Sequence, residues 1–389
     1  VTALLHDPDL APILAALPRA RLVGGCVRDM LAGREVADID LATPDPPEAV
    51  RAALGGAGLR TIPTGLAHGT VTAISGGRPF EITTLRRDEE TDGRHARVAW
   101  TDDFTQDAAR RDFTINAMSL DQAGTLHDPF GGAEDLKEGR VRFVGNAAAR
   151  IAEDYLRVLR FFRFFARYGR PPPDHAAIEA IRAAAALPEG GLRRLSAERV
   201  WSELKRILAT PNPRDTMALM AELGVLAVVL PEARNTEGLT ALVARGAPAE
   251  PILRLAALVG GTKQGVADRL KLSGAERERL EQLCAGPIPH ADDDDPALRR
   301  LLAEEPADVL IGRSWLAVEA QALGDARYRL AAMTRPVFPL EGRDGLALGA
   351  EPGPKLGQAL RRVRGWWLAG GCMATQGECR ARLREELEK

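Results

Sequence analysis

Up to about residue 125 the apolar positions fall in short runs bounded by glycine and proline; beyond it they recur every three to four residues. The short runs predict strands at residues 20–23, 36–41, 70–74, 80–85 and 117–120. A helix is predicted over 47–54, after the turn Thr43-Pro44-Asp45-Pro46. Past Asp128-Pro129-Phe130-Gly131-Gly132 the period is helical, with helices predicted over 147–168, 176–186, 197–208, 215–223 and 276–283. Proline pairs near residues 172, 212, 288 and 353 punctuate them, and no internal repeat is present. The pattern predicts an α+β N-terminal domain with a small mixed sheet, followed by a long all-helical arm.

Within 147–168, Ile151, Tyr155, Val158, Phe162 and Phe165 recur at steps of four and three and predict one buried face. Arg160, Arg163 and Arg167 fall opposite, and Asp154 and Arg157 lie three apart along an edge. Two readings of that pair stand side by side. One is an exposed ion pair contributing about 0.2–0.5 kcal/mol. The other is an acceptor and a donor offered to the edge of a nucleobase. Cytosine and adenine carry an exocyclic amine where uracil and guanine carry a carbonyl, so such a pair would accept CTP and ATP and reject UTP and GTP.

The chain has 389 residues, enough for two to four domains at about 150 residues each. Its net charge of −2 excludes a basic coat, so any nucleic-acid surface must be local. Residues 150–214 carry 13 Lys and Arg against 7 Asp and Glu, and residues 355–384 carry 7 against 1. Two basic stretches on a nearly neutral chain suit a structured RNA held by its backbone; for the second stretch, basic helix faces without a ligand remain the other reading. There Gly353-Pro-Lys-Leu-Gly357 predicts a turn into a helix whose start could meet phosphate, and Trp366-Trp367 reads as packing rather than base stacking. The acidic run 292–295 reads as a solvated loop and helix start. Cys26, Cys284, Cys372 and Cys379 form no C-x-x-C pair and read as free thiols in a reducing compartment. No apolar run reaches the ~18–20 residues of a membrane span, and the first residues lack the basic start and cleavage site of a signal peptide. A cytoplasmic protein with no membrane partner is expected.

Chemistry concentrates in Leu22-Val-Gly-Gly-Cys-Val-Arg-Asp-Met-Leu31 and Val36-Ala-Asp-Ile-Asp-Leu41. On a strand over 36–41, Asp38 and Asp40 share one face and Ala37, Ile39 and Leu41 the other. Two carboxylates that close repel unless a cation sits between them, and hard oxygen ligands suit Mg2+. The plain alternative is two solvated aspartates on an edge strand. Upstream, Gly24-Gly25 opens a predicted helix where backbone N–H groups can approach a phosphate, with Arg28 near enough to add a fork.

This ordered set resembles the class II tRNA nucleotidyltransferase and bacterial poly(A) polymerase family, of the polymerase-β nucleotidyltransferase superfamily. The resemblance covers roughly residues 20–210. It implies that Asp38 and Asp40 hold catalytic magnesium, with Glu81 as a candidate third carboxylate. Arg110-Arg-Asp-Phe-Thr-Ile-Asn-Ala-Met118 resembles the family's second signature. There Arg111 can pair with a triphosphate, and Asp112 and Asn116, four apart on a helical face, can bond ribose hydroxyls. The plain reading is an Asp N-cap with surface arginines. Residues 84–98 resemble the flexible loop of enzymes that add the final A, which CC-only relatives lack; Gly65-Leu-Ala-His-Gly-Thr-Val-Thr72 resembles the CCA-adding branch. The Gly-Arg-Arg-Phe-type signature of bacterial poly(A) polymerases is not seen. Glu153-Asp154-x-x-Arg157 resembles the E-D-x-x-R motif to which base selection by a protein template is attributed, with Arg160 and Arg163 continuing into phosphate contacts. Residues 195–204 resemble the last family motif and read as support for that helix.

The resemblance implies a polymerase-β-like catalytic head over 1–125, then an elongated helical neck (126–190) for base recognition, a body (191–285) and a tail (286–389) for tRNA. The implied function is addition of CCA to tRNA 3′ ends from CTP and ATP, with release of pyrophosphate. Poly(A) synthesis, A-only addition, and a catalytically silent RNA-binding protein are the alternatives; the intact acidic motifs argue against the last. DNA is not an expected partner, and oligomeric state has no signal.

Overall fold

The computed structural model describes residues 3–65, 69–91, 96–260 and 265–388. The chain forms two compact units, Val1–Pro231 and Glu232–Lys389. In the first unit, helix α1 (Ala11–Ala16) leads into β1 (Arg21–Val23), α2 (Gly25–Leu31), β2 (Asp40–Thr43) and α3 (Pro47–Gly56). Strands β3 (Arg60–Gly65), β4 (Thr70–Ser75) and β5 (Arg78–Thr84) follow. Then come β6 (Arg86–Thr91), β7 (Ala96–Trp100), α4 (Phe104–Ala109), β8 (Ser119–Leu120), β9 (Leu126–His127) and α5 (Gly132–Glu138).

Seven of these strands form one mixed sheet in the order β3-β4-β5-β2-β1-β8-β9. Only β2 and β5 run parallel, with Asp40 opposite Glu81 and Leu41 opposite Ile82. Parallel register partners share a face, so the alternation that sends Leu41, Phe80 and Ile82 into the core leaves Asp40 and Glu81 together on the other side. That core is closed by Ile13 and Leu14 of α1 and by Val50 and Leu54 of α3.

The sheet departs from the predicted strands in two ways. β2 begins at Asp40, so Asp38 precedes the strand. The alternation survives for Ile39 and Leu41, which are buried, but Ala37 is exposed rather than packed. Strands β3, β6, β7 and β9 have no predicted counterpart, because segments such as Arg86-Arg-Asp-Glu-Glu-Thr91 lack apolar alternation. The segment expected as a mobile loop is an antiparallel hairpin of β6 and β7. The centre of that expected loop, 92–95, and residues 66–68 of the Gly65–Thr72 motif lie outside the described residues.

Helices α6 (Ala147–Glu153), α7 (Leu156–Tyr168), α8 (His175–Ala185) and α9 (Ala197–Leu208) follow in the same unit. The single helix predicted over 147–168 is two helices. Asp154 stands between them in extended backbone, φ −154° and ψ 108°, and its carboxylate accepts the Leu156 N–H at 3.0 Å. Asp side chains compete for local backbone donors in this way and so end helices. The apolar period runs on in phase across the break, which hides it. Burial on α7 is also wider than one face: Leu156, Leu159, Phe161 and Phe164 are buried along with Val158, Phe162 and Phe165, whereas Tyr155 is only half-buried. Arg157, Arg160, Arg163 and Arg167, three or four apart, occupy the remaining stripe.

The second unit is helical in all its described elements. Trp367 is buried and meets Phe338 edge-on at 5.5 Å, which bears out packing for one of the two tryptophans; Trp366 is partly exposed. Helix Asp295–Glu304 is capped by Asp294, whose oxygen accepts the Ala297 N–H at 2.8 Å, in line with the reading of the acidic run. All four cysteines are thiols outside any disulfide, and burial pushes the Cys26 thiol up to about 11.

Candidate active site

A cavity of about 650 Å³ lies over the sheet and under α7 and α9 of the first unit. Eleven of the residues singled out from the sequence line it: Gly25, Arg28, Asp38, Asp40, Arg111, Asp112, Asn116, Asp154, Arg157, Arg160 and Arg163. Its lining holds seven arginines and four aspartates, an excess of positive charge suited to a triphosphate. Glu81 lines an adjoining cavity that shares Asp40 and Arg111 with it.

The glycine turn acts through Gly24 more than through Gly25. Gly24 caps α2 with φ +71°, ψ −125°, a conformation side chains rarely adopt, and a Cβ there would stand 2.9 Å from Arg111 Nη1. Gly25 leaves ordinary room, 3.6 Å from Arg28 Nη2. Arg28 itself is buried and committed. It donates to Asp29 at 3.0 and 3.1 Å and to Asn116 Oδ1 at 2.5 Å, under the rings of Tyr168 and Phe164.

From Asn116 the network runs on. Its amide donates to Asp112 Oδ1 at 3.0 Å, and Asp112 Oδ2 accepts Arg160 Nε at 2.7 Å. Burial alone would raise the Asp112 carboxyl, but the Arg160 guanidinium and the Asn116 bond outweigh it and hold it below the usual range. The predicted helical face is not what joins these two residues. Asp112 precedes a three-residue 3-10 turn, Thr114–Asn116, which carries Asn116 back to it.

Asp107, which no motif pointed to, holds the second signature's arginines. Its carboxylate accepts Arg110 at 2.7 Å, Arg111 at 3.2 Å and the Arg86 N–H at 3.3 Å. Arg110 Nε in turn donates to the Arg86 carbonyl at 3.1 Å, so the root of the β6–β7 hairpin and Arg111 share one anchor. Against burial, the two arginines keep Asp107 below the usual carboxylate range.

Asp154 and Arg157 both line the cavity, but they do not pair with each other as an ion pair along one helix would. Asp154 Oδ2 accepts Arg199 Nη2 of α9 at 2.6 Å. Arg157 pairs with Glu153 and donates to the carbonyls of Arg150 at 2.8 Å and Arg110 at 3.5 Å. Arg163 is held by Glu203 of α9 at 2.6 Å, and burial lowers its pKa despite that partner. Helix α9, expected only as support, therefore sends Arg199 and Arg206 into the cavity lining and Glu203 behind it. The signal was present: 199, 203 and 206 fall on one helical face, beside the buried Val200, Leu204 and Ile207.

The carboxylates at the sheet end fit a divalent cation. Burial raises the Asp40 pKa, and the negative charges of Glu81 and then Asp38 add to it, with Arg111 opposing. Oxygen donors that resist ionising together are the set a hard cation relieves. Among the described residues no three such donors are yet drawn to ligand spacing.

A carboxylate-bearing mixed sheet whose open face meets a cationic, helix-roofed cavity suits a nucleoside triphosphate and a divalent cation, the working parts of a nucleotidyltransferase. Residues 20–142 match the poly A polymerase head domain, and 174–236 match a domain described as a probable RNA and SrmB-binding site of polymerase A. The chain is 37% identical over 362 residues to CCA tRNA nucleotidyltransferase 1, mitochondrial, of Danio rerio, covering 89% of this chain and 83% of that one. It is 39% identical over 211 residues to the CCA-adding enzyme of Geobacillus thermodenitrificans, covering 53% and 49%. The Bacillus stearothermophilus CCA-adding enzyme in complex with CTP has the same fold, with a TM-score of 0.77 and 25% identity over 98% of each chain. The chain belongs to the CCA tRNA nucleotidyltransferase family, as its motif order implied.

Proposed function

We infer that this enzyme adds C, C and A to the 3′ end of tRNA from CTP and ATP without a nucleic-acid template. The observation that carries the reading is the convergence of acidic, cationic and amide groups from five separate segments on one cavity. Similarity along most of the chain to enzymes named for CCA addition supports it.

In this reading the 3′ oxygen of the tRNA forms a bond to the α-phosphorus of the nucleotide, the bond from that phosphorus to the β-phosphate bridge breaks, and pyrophosphate leaves. Asp38 and Asp40, with Glu81 one strand away, would hold Mg2+. When bound there, the ion supplies charge stabilisation and lowers the pKa of the attacking hydroxyl. Arg111 and Arg163 face the triphosphate. Asp112 and Asn116, locked by Arg160 and Arg28, meet the ribose hydroxyls and favour RNA over DNA precursors. Asp154 accepts from the exocyclic amine of C or A, and Arg157 donates to the neighbouring ring acceptor once it turns from Glu153.

Residues 1–125 serve as the head, 126–190 as the neck, 191–285 as the body and 286–389 as the tRNA-binding tail, and the enzyme works in the cytoplasm. Among the described residues no helix is long and apolar enough to cross a membrane. The test is product analysis with α-labelled CTP and ATP on tRNA lacking its 3′ end. Three additions ending in A are expected. Addition of A alone only to tRNA ending in CC, or an unlimited A tail, would replace this reading with A-only or poly(A) synthesis.

A further inference from the structure

A second cavity, about 1260 Å³, lies beside the nucleotide cavity, and Asp154 and Arg199 line both. Their ion pair joins the break between α6 and α7 to the first turn of α9. Arg199 is anchored at its backbone as well, where its N–H is taken by the Ser196 cap at 3.4 Å. The Asp154 carboxylate is thus fixed at both oxygens, Oδ1 by the Leu156 N–H at 3.0 Å and Oδ2 by Arg199 at 2.6 Å. Each carboxylate oxygen has two acceptor sites, so one remains on each for a ligand. Arg157 does not share in this, since its guanidinium is engaged with Glu153 and two carbonyls.

We propose that Arg199 is a specificity-determining positioning residue, which sets the plane of the Asp154 carboxylate so that its remaining acceptor sites face the exocyclic amine of C and A. The proposal rests on the base-reading function given above. Without Arg199 the carboxylate keeps one bond, to Leu156, and its terminal torsion has only a broad, roughly two-fold preference. A carboxylate free to turn loses the prepaid orientation that favours an amine. It also turns away from the carbonyl of U or G, which removes the acceptor-against-acceptor clash that rejects them. Loss of Arg199 therefore lowers the rate with the right nucleotides more than with the wrong ones. A residue that only braced α9, or only met phosphate, would lower all four alike.

The experiment measures kcat/KM of the full chain, wild type and Arg199→Ala, for CTP and UTP on tRNA lacking CCA and for ATP and GTP on tRNA ending in CC. In Arg199→Ala the preference for CTP over UTP and for ATP over GTP should narrow by roughly tenfold. Circular dichroism and thermal unfolding establish that the variant is folded; if it is not, Arg199→Met, which keeps an unbranched side chain but has no donor, carries the same expectation. Unaltered preference, or an equal loss with all four nucleotides, would overturn the proposal. A wild-type enzyme that incorporates neither C nor A would instead overturn the function on which it rests.

Discussion

Asp40 sits at the sheet end of the cavity with its acidity altered by its surroundings. Its pKa is raised first by burial and then by Glu81 and Asp38. The folded chain holds this proton more tightly than the unfolded one, so ionising the group at neutral pH works against folding. Without divalent metal, Asp40→Asn should therefore unfold at a higher temperature than wild type at pH 7. The difference should shrink as pH falls below the ordinary carboxylate range, where both forms are neutral. Incorporation by the same variant should drop by ~10³-fold or more if, as proposed, this carboxylate helps hold the cation. A variant less stable than wild type at neutral pH, or one with near-normal turnover, would contradict the assignment. Gly24 makes a second case. Its positive φ and the nearness of Arg111 predict that Gly24→Ala costs about 1–3 kcal/mol in denaturant unfolding, and raises KM for the nucleotide as Arg111 is displaced.

At the scale of elements, the sequence disclosed the strands and helices whose apolar pattern is strong. β4, β5, α3 and α9 stand within two residues of their predicted ends. It concealed whatever was decided by polar side chains. The break at Asp154 carries no glycine or proline, and β6 of the hairpin, Arg86–Thr91, has no apolar residue to show a period of two. The pairing of Asp154 with Arg199 across 45 residues is a tertiary fact that local spacing cannot contain. The hairpin is proposed to serve addition of the third nucleotide. Deleting residues 87–94 leaves Arg86, held by Asp107 and Arg110, in place. Addition of C should stay largely intact and addition of A should fall, read as separate rates on tRNA lacking CCA and tRNA ending in CC. Equal loss of both would make the hairpin a general part of the fold or of phosphate binding.

At the scale of the whole molecule, the order of motifs was enough to identify the family, and the residues it marked meet in one cavity although they are spread from Gly25 to Arg163. The charge map was less complete. The basic stretch 355–384 ends just short of Glu385 and Glu386, which pair with Arg382 and, for Glu386, also Arg362. Arg364 and Arg380 pair with Glu304 and Asp344. Much of that positive charge is thus balanced within the second unit, whereas the arginines of the first unit converge on a cavity. This cavity is proposed to choose bases by side chains alone. Replacing Asp154 by Ala and measuring kcat/KM for all four nucleotides, with ATP and GTP on tRNA ending in CC and CTP and UTP on tRNA lacking CCA, tests it most directly. The expected result is a discrimination against UTP and GTP narrowed by roughly 1–3 kcal/mol, beyond any general slowing. A folded Asp154→Ala enzyme with the wild-type preference among the four nucleotides would contradict it.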